Sequence, residues 1–394
     1  MTFAWIGNAL ILPTIHVTMK GNAFFKAFTA EVCSNLFNDW SDNYDELYFG
    51  PEPKELFFSN DGWLKRSIRN WLNQPGDQNG AEVVAIFRTA FDFIAPYLER
   101  LEPLYAQLAD KESQSLLVKL MAFRALGHRK VKLPFNTPEN RQGIVRYEAV
   151  CSVSDCIEAG FSGWKLRRLD LTTLGVPISL YSLPWTTFLQ FGVQQYRCDC
   201  APHAIEPVAG DYVLDGGAGW GDTALHFANK VGPGGHVISV EFTPTNLAIM
   251  QKNFELNPSL EQRIEIVENA LWDKSGNIMS YSENGPATRL GGNNPGASDT
   301  SVTSISVDDL VKTKKLPRID FIKMDIEGAE LAALKGAEHT LRRFKPKLAI
   351  CVYHRLEDFF DIPDYLASLQ LGYRFFLRHF TIHIDETVLF ATVN

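Results

Sequence analysis

The sequence predicts an α/β protein: a doubly wound, mostly parallel sheet closed by a C-terminal antiparallel hairpin and preceded by a mainly helical region. Three observations predict it. From residue 211 onward, buried-strand runs alternate with helical runs. The first of those strands enters a glycine-rich turn. Between residues 20 and 130, apolar residues recur at spacings of three and four with little strand-like alternation. At roughly 150 residues per domain, a chain of 394 is too long for one compact core. The boundaries read from these textures are a helical region over 1–130, a connector with short strands over 131–205 and the α/β domain over 206–394.

The elements follow in order. The first nineteen residues are apolar around Phe3 to Pro13, but no Lys or Arg precedes Lys20 and no small-residue cleavage site follows, so they make a poor signal peptide. Pro13 also breaks the run short of the ~20 residues a spanning helix needs. The expectation is a cytoplasmic protein with an extended or mis-assigned start before Met19. Residues 74–80, with Pro-Gly-Asp and Asn-Gly, read as a loop. Asp110 is placed to cap an amphipathic helix carrying Leu116, Leu117, Leu120 and Met121 on one face, and Gly127 to end it. Residues 165–171 and 176–181 read as short strands turned at Gly175, and 184–196 as a short helix. Core strands are expected over 211–216, 236–242, 263–271, 320–325 and 347–354, with helices between them. The Ser-, Asn-, Gly- and Thr-rich stretch 276–306 reads as a hairpin or mobile loop beside the sheet. Residues 373–380 and 386–393 form the terminal hairpin.

Composition excludes several classes. Apolar residues make up 45% and charged residues 21%, which supports a sizeable core and leaves too few charges for a disordered chain. With 38 Lys and Arg against 46 Asp and Glu, the net charge of -8 offers no footprint for nucleic acid or an anionic membrane. Six cysteines are too sparse for a disulfide scaffold. Cys151-x4-Cys156 and Cys198-x-Cys200 lack the two-residue spacing of a zinc knuckle.

The chemistry is concentrated in Asp215-Gly-Gly-Ala-Gly-Trp-Gly221. Gly217, Gly219 and Gly221 let the backbone turn sharply and pass close to a ligand before the next helix begins. The third glycine of a dinucleotide fingerprint would fall at 222, which is Asp222, while Asp215 precedes the turn. A pyrophosphate is repelled there, whereas a ligand with an ammonium group and a sulfonium centre is attracted. About twenty residues on, Glu241 ends the second strand, where a carboxylate accepts both hydroxyls of a ribose. Together these residues describe the donor site of a Rossmann-like class I S-adenosylmethionine-dependent methyltransferase. Gly217, Ala218 and Gly219 form the turn, Phe242 follows the ribose-binding acid, and the backbones of Ala270 and Leu271 bracket the adenine. Asp325 and Glu327, at the end of the fourth strand, face the reacting centre; Asp325 also suits a helix N-cap, and Glu330 suits a capping or surface place. His354, at the end of the fifth strand, is the titrating candidate for accepting a proton. Arg378 and His379 on the terminal hairpin either shape the acceptor pocket or face outward. A divalent metal on Asp325, Glu327 and a third oxygen ligand is chemically reasonable, but no dedicated metal motif is present and no metal is assigned. The alternatives are a nicotinamide-dependent oxidoreductase, whose expected third glycine is absent, and a non-catalytic glycan- or partner-binding protein that retains the nucleoside pocket, against which the intact donor-site acids argue.

Residues 211–394 resemble the FkbM family of methyltransferases. The likeness is carried by the Asp215-Gly-Gly-Ala-Gly219 turn, Ile322-Lys-Met-Asp-Ile-Glu-Gly-Ala-Glu330 with Leu334-Lys-Gly-Ala337, and Leu348-Ala-Ile-Cys-Val-Tyr-His354. Leu377-Arg-His-Phe380 with Glu386-Thr-Val-Leu-Phe390, and the helical leader with Asp110-Lys-Glu-Ser113 and Lys130-Val-Lys-Leu-Pro134, are similar to a subset of it. Where many members have Glu-Pro, this chain reads Glu241-Phe-Thr-Pro244. The resemblance implies S-adenosyl-L-methionine as cofactor and O-methylation of a hydroxyl on a sugar, glycan or secondary metabolite. The helical region is then expected to cover the acceptor side or to mediate homodimerisation.

Overall fold

The computed structural model describes residues 22–44, 78–200, 202–291 and 300–393, with backbone alone over 78–82. The expectations for the first nineteen residues and for 74–77 lie outside these. The rest of the expected loop, 78–80, is the start of a helix instead.

The helical region comprises α1 (Ala23–Asn35), α2 (Gln78–Ile94), α3 (Leu98–Gln107) and α4 (Lys111–Leu126). Asn22 caps α1 by accepting the Phe25 N–H at 2.8 Å, and Phe24, Phe28 and Val32 form its buried stripe. Asp110 caps α4 through the Ser113 N–H at 2.7 Å, and Gly127 ends it at φ 81°. The expectation of an amphipathic α4 needs correcting. Val118, Ala122, Phe123, Ala125 and Leu126 are buried along with the apolar face, because α1 and α2 pack on one side of α4 and the C-terminal hairpin on the other.

The connector holds α5 (Pro138–Ala149) and an antiparallel sheet of β1 (Cys151–Glu158), β2 (Lys165–Asp170) and β3 (Ser179–Ser182). Residues 184–192 form one helical turn followed by a π-turn. Strand β1 escapes a search for apolar alternation because it is an edge strand with a bulge between Cys151 and Cys156 and no fully buried side chain.

Among the described residues, seven strands form the main sheet in the order β12-β13-β11-β10-β4-β5-β6. Strands β4 (Tyr212–Gly216), β5 (His236–Val240), β6 (Ile264–Val267), β10 (Phe321–Met324) and β11 (Lys347–Cys351) are parallel. The hairpin of β12 (Arg374–His379) and β13 (Thr387–Thr392) adds antiparallel to β11. The parallel strands are covered on both faces, so Val213, Leu214, Val237, Ile238, Phe321, Ile322, Leu348 and Ile350 are all fully buried. Helix α6 (Asp222–Val231) follows β4, α7 (Pro244–Glu255) follows β5, α8 (Glu330–Lys335) follows β10 and α9 (Asp358–Ser368) follows β11. The single strand expected over 263–271 divides: β6 stays in the main sheet, and β7 (Ala270–Leu271) joins β9 (Ser301–Ile305) and β8 (Ile278–Ser280) in a small separate sheet. Strands β8 and β9 pair antiparallel, so the stretch expected as a hairpin is one, with residues 292–299 outside the description.

The exposed edge of β12 is closed by the start of α4. Ala109 N–H bonds to Phe375 O at 2.8 Å, Leu377 N–H to Ser113 Oγ at 2.8 Å, and Arg378 reaches Ser113 Oγ and Asp110 Oδ2, each at 2.9 Å. Arg378 therefore locks the helical region to the hairpin and does not shape a pocket. His379 is buried against Thr387 Oγ1 at 2.9 Å, and burial, with Arg124 nearby, pushes its imidazole down to about 3. Asp110→Ala removes both the α4 cap and an Arg378 partner, and about 2 kcal/mol of stability is expected to go with them. Urea denaturation checks this as a lower midpoint at unchanged slope.

Candidate active site

At the carboxyl ends of β4, β5 and β10 lies a cleft of about 460 Å³, the place where open parallel sheets bind ligands. Gly217, Glu241, Phe242, Ala270 and Leu271 line it on the donor side expected from the sequence, and Asp325 and Glu327 line it opposite. Asp215, Ala218, Gly219 and His354 stand outside the lining. Sequence reasoning missed Thr243, Asn246, Asn269, Thr288 and Leu290, of which the last two come from the inserted hairpin. No lining residue comes from the described part of the helical region or connector.

The turn after β4 separates its glycines by role. A Cβ on Gly217 would lie 1.9 Å from Asp325 O, and one on Gly221 would lie 2.8 Å from Met250 and Phe254, so both permit close packing. Gly219, at φ 50°, would place a Cβ in open space. Asp215 differs from its expected role. The β4–β10 register sets Lys323 beside it, with Nζ 3.2 Å from Oδ1, and Thr223 Oγ1 donates to Oδ2 at 2.6 Å. Lys323 also donates to Gly216 O and Gly217 O under the Tyr196 ring. All of this is buried, so the carboxylate is balanced from within and does not project bare charge at a ligand's ammonium group.

Glu241 is likewise engaged. Its Oε1 accepts the N–H groups of Phe242 and Thr243 at 2.7 and 2.8 Å, and its Oε2 accepts those of Gly219 at 3.0 Å and Asn246 Nδ2 at 3.3 Å. Four donors occupy the lone pairs of one carboxylate. Burial nonetheless raises its pKa. The contact to Glu241 fixes the Asn246 amide orientation, since a flipped amide would set oxygen against carboxylate. That orientation leaves Asn246 Oδ1 buried with no partner. An orphaned acceptor beside a saturated carboxylate fits a ligand hydroxyl, as a ribose supplies. A helix-start Asn five residues beyond Glu241 was the available sequence signal.

On the opposite wall, Asp325 accepts from Tyr196 OH at 3.1 Å and Tyr353 OH at 3.0 Å. Those bonds replace the expected N-cap role. Burial acts to raise its pKa, but His354, Lys323 and the two hydroxyls outweigh it and hold the carboxyl below its usual value. Glu327 takes φ 57°, uncommon for a side chain with Cβ, and accepts from Arg289 Nε at 3.1 Å. The His354 side chain is only 2% exposed behind this wall, its Nδ1 3.0 Å from Glu330 Oε1 and its Nε2 3.3 Å from Asp325 Oδ1 and 3.6 Å from Glu327 Oε1. Burial opposes its charge, yet the surrounding carboxylates raise its pKa well above the histidine range. Glu330, expected at a cap or the surface, is fully buried and accepts the Ile326 N–H at 2.8 Å.

Residues 203–375 match the methyltransferase FkbM domain. Over those residues the chain is thus similar to an FkbM methyltransferase domain. The family uses S-adenosylmethionine. No curated protein matches the chain. Among solved structures, it is similar to the FkbM methyltransferase from Methylobacillus flagellatus KT, at 20% identity and TM-score 0.47 over 80% of this chain and 65% of that one. It thus spans less than two thirds of that protein's length. It is also similar to an O-methyltransferase from Bacillus cereus in complex with SAH (13% identity, TM-score 0.33, 66% and 93% covered). A third is the fibrillarin of Aeropyrum pernix with natively bound S-adenosyl-L-methionine (15%, 0.32, 47% and 67%). Among the described residues, no helix is long and apolar enough to cross a membrane.

Proposed function

We propose that this chain is an S-adenosyl-L-methionine-dependent O-methyltransferase acting on a hydroxyl of a sugar, glycan or secondary metabolite. The observation that carries the reading is one cleft with a nucleoside-type end, Glu241 and Asn246, facing a carboxylate wall, Asp325 and Glu327. When bound, the donor supplies an electrophilic methyl carbon on its sulfonium. Asn246 Oδ1 would accept a ribose hydroxyl, with Glu241 holding the Asn246 amide in the orientation that presents it. Phe242, Ala270 and Leu271 would enclose the adenine, while Gly217, Ala218 and Gly219 would carry the backbone past the amino-acid end. Asp215 holds that turn in shape through Lys323. Displacement at the methyl carbon requires an acceptor oxygen placed in line and a base for its proton. Asp325 and Glu327 supply carboxylates for that proton, and His354 fixes their positions from behind.

The test is calorimetric titration of the full chain with S-adenosylmethionine, S-adenosylhomocysteine and NAD. Both sulfur nucleosides are expected to bind, with affinity reduced at least ~10-fold in Glu241→Ala and in Asn246→Ala, since each leaves a buried polar group unpaired. Selective NAD binding, or sulfur-nucleoside binding indifferent to both substitutions, sinks the reading.

A further inference from the structure

Behind the acceptor wall, three separate elements converge on one point. Asp325 follows β10, Glu330 opens α8 and His354 follows β11, and each presents a ligand atom within 4.8 Å of the others. One ion with ligands at ~2.0–2.6 Å spans that distance. The polar atoms here are also incompletely satisfied. Glu330 Oε2 is buried without a hydrogen-bond partner, and neither His354 ring nitrogen is in hydrogen-bonding alignment despite the short approaches of Glu330 and Asp325. Native proteins leave few buried polar groups in that condition. The local charge points the same way: Glu327 adds a third carboxylate beside the set, Lys323 is shared with Asp215, and Arg289 is spent on Glu327.

We propose that Asp325, Glu330 and His354 bind a divalent cation, of the Mn²⁺ or Mg²⁺ type because carboxylate oxygens predominate. The site differs from the Asp325–Glu327 grouping that the sequence makes reasonable, since Glu327 turns to Arg289 and Glu330 turns inward. Asp325 is 21% exposed toward the cleft, which leaves the ion an open side for a substrate oxygen. The role of the ion rests on the methyl-transfer reading: it would hold the acceptor hydroxyl and polarise its O–H bond, so that a weakly basic carboxylate suffices.

The experiment titrates the chelator-stripped full chain with MnCl₂ and follows the electron paramagnetic resonance signal of free Mn²⁺. One ion per chain is expected to be taken up, with affinity falling at least ~10-fold in both Asp325→Asn and His354→Ala. Asp273→Asn, at an exposed acid away from the wall, is expected to change nothing. The far-ultraviolet circular dichroism spectrum of each sample reports whether the variant is folded, and S-adenosylhomocysteine binding on the same samples reports the donor site separately. No uptake by the wild-type chain up to about 1 mM Mn²⁺, or uptake that survives the two wall substitutions, overturns the metal site. Donor binding without Mn²⁺ uptake removes the ion alone and leaves the methyl-transfer reading standing.

Discussion

Gly217→Ala is expected to destabilise the protein by on the order of 3 kcal/mol and to abolish donor binding. The added Cβ would lie 1.9 Å from Asp325 O at a backbone φ of 73°. No rotamer relieves that contact, because a Cβ has none and Asp325 O is backbone that directly follows β10 where the paired β4 and β10 end side by side. Relief requires the end of β10 to move, which pulls Asp325 from its two tyrosine hydroxyls and displaces the wall of the cleft. Gly219→Ala is the control. Its φ of 50° carries the left-handed cost of about 1 kcal/mol, but its Cβ meets nothing. Urea denaturation of the two variants separates the effects, and equal losses would remove the close-approach explanation.

Lys323→Met is expected to cost about 3–5 kcal/mol, because it removes the cationic partner of a fully buried carboxyl group. Thr223 Oγ1 then remains as its hydrogen-bond donor, while Gly216 O and Gly217 O lose theirs. The double variant Asp215→Asn/Lys323→Met is expected to be more stable than Lys323→Met alone, since the stranded charge is gone. A thermodynamic cycle in urea measures this. Strict additivity of the two single losses would show that the ion pair is not coupled.

The parallel strands were legible because burial on both faces writes itself as runs of Val, Ile and Leu, and the turn after β4 because three glycines and an acid leave few other conformations open. Their roles were less legible. Whether a glycine opens space for a ligand or for a neighbouring strand depends on what lies opposite, and Asp325 lies far along the chain from Gly217. The same distance hid Lys323, whose pairing with Asp215 is set by strand register and by nothing local. Asn246 was passed over because its importance arises from an acceptor left unmatched, a property of the folded neighbourhood. Strand β1 was missed because an exposed edge needs no apolar alternation.

The closing of β12 by α4 has a temporal side. Phe24, Phe28 and Leu117 share one core with Phe375, Leu377 and Leu389, so helices synthesised early complete their packing only against strands synthesised late. On the ribosome, the α1–α4 layer therefore keeps an apolar flank uncovered until β12 and β13 follow. Contacts of such long sequence separation slow folding and lengthen exposure to aggregation. That vulnerable interval ends when the β12–β13 hairpin emerges and docks.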